Sequence, residues 1–277
     1  MADARESGEL ERDAGSLEIW AWAMYDFANS GYTTVVLTAI FNAYFVSVVA
    51  GNAPWATFAW TATLSLSYAL VIVTAPVIGA YADLCANKKR LLLVTTVGCV
   101  IGTAALALVG PGNLVTAVVC VIISNFFFCT GCDLVAAFLP ELARGRNLGR
   151  VSGWGWSLGY IGGLLTLGVC LAYVTWAQAD GRGAAQFVPV TMLITAALFA
   201  LASLPTFIIL RERATPQQQP AGASLVASAF ARLADSLRHA ARYQDLRRFL
   251  LCIVFYQAGV QTVITLAAIY AEQAMGF

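Results

Sequence analysis

Charge is what this sequence has little of. Asp, Glu, Lys and Arg together make up 11% of its 277 residues, where a soluble domain carries roughly a quarter. Apolar residues make up 60%, so an ordinary soluble domain is excluded. Histidine is almost absent, His239 being the single one. Lysine occurs only at Lys88 and Lys89, which excludes a retinal protein, because that chemistry needs a lysine in the last helix. No cluster of His, Cys and acid falls at a helix end, so neither a membrane enzyme nor a metal or other cofactor is expected. The net charge of +1 comes from basic residues that flank apolar runs rather than gather on one soluble face, and no nucleic-acid partner is expected. A cleavable leader is not expected either: Asp3, Glu6, Glu9, Glu11, Asp13 and Glu18 crowd the start, the reverse of a basic segment followed by an apolar core.

Long apolar runs are what is there. Seven of them, about Ala28–Ala50, Phe58–Ala80, Leu91–Val109, Leu114–Leu139, Val151–Trp176, Val188–Leu210 and Phe249–Tyr270, are near or above the roughly 20 residues that cross a hydrocarbon core. None contains Lys or Arg. When the gaps are assigned alternately to two sides, fifteen of the sixteen basic residues fall on one side, and Arg182 alone falls on the other. Positively charged loops stay inside, so a cytoplasmic N-terminus is expected, with the seventh span ending outside. A receptor with its N-terminus outside does not fit this bias.

The largest basic block lies between the sixth and seventh spans. It opens with the polar linker Thr215–Pro220, and then Val226, Phe230, Leu233 and Leu237 recur at helical spacing, with Arg232, Asp235, Arg238 and Arg242 on other faces. This predicts a basic amphipathic helix lying on the inner leaflet or under the bundle. The expected organisation is a tail over 1–18, six helices over 19–210, a linker over 211–248 and one further span over 249–277. An all-α membrane bundle of six helices, a long basic loop and another helix suits the first half of a two-repeat transporter with the next half begun.

Polar residues inside spans are functional candidates, because lipid penalises them. Asp133 lies about 10 Å from the inner end of the fourth span at 1.5 Å per residue, and Asp26 sits near the start of the first, beside Asn29 and Tyr32. Each acid either binds a cation or proton or joins helix ends by hydrogen bonds. Asn125 in the fourth span, with Gln257 and Gln261 one turn apart in the seventh, either completes a polar pathway with these residues or makes interhelical hydrogen bonds. In the fifth span, Gly155, Gly159 and Gly163 recur every four residues, a spacing that brings helix backbones close. The seven cysteines, including Cys129 and Cys132, are read as small packing residues.

The turn after the second span, Gly79-Ala-Tyr-Ala-Asp83-Leu-Cys-Ala-Asn-Lys88-Lys89-Arg90, resembles the signature of the major facilitator superfamily. Leu84 stands where that pattern has a basic residue and Ala86 where it has glycine. Trp22–Ser30, Thr33–Thr38, Leu139-Pro-Glu-Leu142, Gly149–Gly153 and Gly159–Gly163 resemble the autophagy-related vacuolar effluxer-like branch and its bacterial relatives. Phe249–Phe277 resembles the seventh helix of that branch, with Ala258 in place of an acid. The resemblance implies a secondary transporter of a bacterial inner membrane, working by alternating access on a small solute, with protons as a candidate coupling ion. In fungal members the implied solutes are amino acids. Asp26, Asn29, Tyr32, Asn125, Asp133, Gln257 and Gln261 would line the pathway, and Gly79, Asp83, Lys88, Lys89 and Arg90 would form a cytoplasmic latch. A chain cut after its seventh helix is expected, and the rival reading is a membrane protein or fragment that transports nothing.

Overall fold

The computed structural model describes residues 14–214 and 225–275, without the side chains of Arg146, Leu225, Arg232, Leu237, Thr265 and several residues near the end of the last helix. Arg5 and Arg12, most of the acidic tail and the Thr215–Pro220 linker lie outside the described residues. What is described is all α-helical, and six of its helices are long and apolar enough to cross a membrane.

The first, α1 (Ser16–Val49), begins well before the predicted Ala28. Hydropathy marks where a helix meets lipid, not where it starts. Trp22, Ala23 and Tyr25 are buried among the other helices, so packing carries the helix through a stretch that Glu18 and Asp26 make too polar to register as a span. The chain leaves α geometry at Thr33–Ala39 and again at Phe45–Val49, both wide π turns. Hydroxyls compete for the carbonyls there: Thr34 donates to the Ser30 carbonyl, and Thr38 to that of Thr33 at 3.0 Å. Such back-bonding loosens the regular ladder.

Next come α2 (Ala56–Cys85), α3 (Lys88–Ala105) and α4 (Leu114–Ala136). A one-turn helix at Leu139–Leu142 leads to α5 (Arg146–Ala179), followed by α6 (Ala184–Ile209). α2 and α5 contain the predicted runs Phe58–Ala80 and Val151–Trp176, whereas Leu91–Val109, Leu114–Leu139 and Val188–Leu210 begin in α3, α4 and α6 and run one to four residues past their ends. The amphipathic stretch forms α7 (Leu225–Arg242), and α8 (Gln244–Met275) stands at the place of the last predicted span.

α1 packs against α5 and α6, α3 against α4 and α6, and α2 against α4. α7 lies on α2, and α8 leans on the middle of α1. Tyr25, Tyr32, Phe41, Phe45, Trp60 and Phe199 fill the interior, with the Tyr25 and Phe199 rings edge to face at 6.1 Å. Large apolar side chains such as Phe58, Ile72 and Leu164 are left on the outside, as expected where the solvent is lipid.

Candidate transport pathway and charged end

Side chains at i, i+4 and i+8 share one helix face. On α1 these are Asp26, Ser30 and Thr34, and they face the glycines of α5. A Cβ at Gly155 would run into the Asp26 carboxylate and Trp22. One at Gly159 would sit 2.9 Å from the Ser30 hydroxyl, and one at Gly163 would sit 3.1 Å from that of Thr34. At Gly162 it would strike the Phe27 carbonyl, while Gly31 on α1 gives the same room to Thr166. The absence of side chains on α5 therefore leaves space for a polar stripe on α1.

One turn on from Asp26, Asn29 turns towards α4. It is 6% exposed, and its amide nitrogen donates to the Cys132 sulfur at 3.3 Å. Its Oδ1 is buried with no hydrogen-bond partner. Asp26 meets α5 at Gly155, and the exposed Asp133 follows Cys132 along α4, so the two acids flank the Asn29–Cys132 contact along the chain. Among the described residues no basic side chain makes a salt bridge to either acid.

A second polar group joins α2, α4 and α8. Asn125 is fully buried and donates to the Ser67 hydroxyl at 3.1 Å, and Gln261 reaches the Tyr68 hydroxyl at 3.4 Å. Gln257 is exposed. Tyr32 is fully buried, stacked on Phe128 at 4.6 Å and hydrogen-bonded at 2.9 Å to Ser124, the chain neighbour of Asn125. Cys129 and Cys132 are free thiols, and among the described residues no group of His, Cys, Asp or Glu is arranged to hold a metal.

The basic end of the bundle has its own geometry. Three successive basic residues open α3, where the helix dipole is positive. A carboxylate from elsewhere offsets them: Glu212 accepts the backbone N–H of Lys88 at 2.6 Å and of Lys89 at 3.1 Å. Lys88 pairs with Glu141 at 3.0 Å and Asp83 at 3.8 Å, and Lys89 donates to the Leu210 carbonyl at 2.6 Å. Glu18 accepts from the Arg211 backbone at 2.9 Å and forms a fork with the Arg213 guanidinium at 2.9 and 2.5 Å. That hydrogen bonding is the main reason the Arg213 pKa is raised above its ordinary value. Glu141 also accepts the Arg213 backbone N–H at 2.9 Å. Arg90 is exposed, and a Cβ added at the half-buried Gly79 would meet nothing.

The sequence reading missed Glu18, Glu141 and Glu212 as network members. One signal was available: these acids lie on the side that holds nearly all the basic charge, where each is a natural counter-ion.

The family described as "Vacuole effluxer Atg22 like" matches this sequence over residues 46–149 and 146–277. Among curated proteins, an "Uncharacterized MFS-type transporter YxiO" of Bacillus subtilis (strain 168) is 28% identical over 260 residues. The match covers 91% of this chain and 59% of that protein, so the chain spans about three-fifths of the length of that relative. No solved structure matches.

Proposed function

The chain belongs to the vacuole effluxer Atg22-like family, of major facilitator type, and from that premise we propose that it serves secondary transport of a small solute by alternating access. α1–α6 act as one rocking half, the segment holding α7 is the linker, and α8 begins the partner half. The membrane is the bacterial inner membrane with the N-terminus in the cytoplasm, a reading supported by the fifteen-to-one basic bias.

The observation that carries the proposal is Asn29. An unpaired acceptor buried in a membrane bundle costs on the order of 1–3 kcal/mol, and here it lies one helical turn from Asp26 and its amide bonds to Cys132, the chain neighbour of Asp133, with no salt bridge to either acid among the described residues. A donor that arrives and leaves, from a solute or a proton-loaded carboxyl, gives that arrangement a purpose. Asp133, with Asp26 behind it, takes the proton or the cationic part of the solute, while Asn125, Tyr68, Gln261 and Gln257 extend the pathway. Asp83 with Lys88, Lys89 and Arg90 acts as the cytoplasmic latch.

The test is uptake and efflux in vesicles under an imposed pH gradient, with amino acids as the first solutes tried. Asp133→Asn is expected to flatten the pH dependence of transport. Unchanged pH dependence removes the proton role, and no gradient-driven flux of any solute removes the transport reading.

A further inference from the structure

A cavity of about 600 Å³ opens between the first turns of α1 and α5, and none of the polar residues described above lines it. Trp20 and Trp154 flank it, Arg150 and Asn147 supply polar atoms, and Ile19 and Leu158 belong to its apolar part. None of its lining residues is an acid, and among the described residues Arg150 forms no salt bridge.

Its depth follows from helix length. α1 and α5 each have about 34 residues, or about 50 Å at 1.5 Å per residue, against a hydrocarbon core of about 30 Å. Glu18 in the first turn of α1 and Arg146 and Arg150 in those of α5 mark these as the ends left in the headgroup layer, where tryptophan is enriched. Trp20 is 43% exposed and Trp154 58% exposed, leaving ring surface for a ligand to cover.

From this we propose that the cleft is a binding site for an anionic phospholipid. The phosphate sits on the Arg150 guanidinium, the glycerol region lies between the two indoles, and an acyl chain lies against the apolar lining of Ile19, Ala23, Val151 and Leu158. The charge pattern selects this occupant: among the described lining residues there is one cation without a salt bridge, no acid, and an apolar floor that a free anion would leave unfilled. Basic clefts between membrane helices on this side of a bilayer suit acidic headgroups. The assignment does not depend on whether a solute is transported.

Quenching of tryptophan fluorescence by lipids with brominated chains tests it on the full chain in detergent. Brominated phosphatidylglycerol is expected to quench at about fivefold lower concentration than brominated phosphatidylcholine, the factor one basic side chain contributes at an anionic surface. Arg150→Gln should bring the two lipids to parity, and Arg150→Lys should keep the preference. Arg182→Gln at the other end should change nothing, and Trp154→Phe should remove much of the glycerol-lipid quenching. Excess glycerol phosphate should not relieve the quenching. Equal quenching by both lipids in the unaltered protein, or a preference that survives Arg150→Gln, overturns the site. Displacement by glycerol phosphate overturns the lipid assignment and leaves a soluble-anion site.

Discussion

Single positions show how the helices were fitted together. Ala86 ends α2 in the left-handed region, at φ 47° and ψ 49°, where a Cβ crowds the neighbouring carbonyl and glycine is the usual solution. This is the position where the superfamily pattern has glycine. Ala86→Gly is expected to stabilise the fold by about 1 kcal/mol, read as a higher midpoint in thermal unfolding in detergent. Two other glycines predict opposite outcomes. A Cβ at Gly162 meets the Phe27 backbone, which cannot move without shifting α1, so Gly162→Ala should destabilise by about 1–3 kcal/mol. A Cβ at Gly79 meets nothing, and Gly79→Ala should be neutral or gain up to about 1 kcal/mol from helix propensity. Any loss of transport in Gly79→Ala would then arise from a state other than this one, a role suited to a latch residue.

Among elements, α3 is the one whose own sequence argues against its start. Lys88, Lys89 and Arg90 place positive charge on the positive end of the helix dipole, and no side chain of its own caps it. Glu212, more than a hundred residues later in the chain, accepts the first two backbone donors. Glu212→Ala should therefore cost about 1–2 kcal/mol, as for a lost cap, with early proteolysis in the turn before α3 as the local readout. The apolar centres of α2–α6 were legible in the sequence because a bilayer demands long uncharged runs, and no soluble fold competes for that pattern. The start of α1 was not legible: its first turns are held by burial of Trp22 and Tyr25, a tertiary effect that hydropathy does not record. Asp26, Asn29, Asn125 and Asp133 could be picked out because polar residues in spans are rare. Which of them meet could not be, since the Asn29–Cys132 contact joins helices more than a hundred residues apart. The partners of Lys88, Lys89 and Arg213 were hidden for the same reason.

For the whole molecule, hydrogen bonds define two ends independently of any rule about charge. Ala14 donates to Leu142 at 3.3 Å, Lys88 and Lys89 meet Glu212, and Arg213 meets Glu18, so residues near 14, 88, 142 and 212 share one end. Gly112 donates to Val49 at 3.2 Å and Tyr44 to Val109 at 3.1 Å, which sets the turns after α1 and α3 together at the other. The single basic residue assigned to that second end, Arg182, pairs with Asp180 at 2.9 Å and lies 4.8 Å from the Trp176 ring centre. Its charge is answered locally, whereas the basic end keeps exposed cations such as Arg90 and Arg150. The bias that orients the chain in a bilayer is thus an attribute of whole faces of the bundle. Single cysteines at Gly51 and Asn87, introduced in a protein with its seven native cysteines replaced by alanine or serine, should react with an impermeant maleimide from opposite sides of intact cells, Gly51 from outside and Asn87 only after permeabilisation. Labelling of Asn87→Cys in intact cells would invert the topology and move the latch, the linker and the Arg150 cleft to the outer face together, because the Glu212 and Glu18 contacts allow none of these parts to change sides alone.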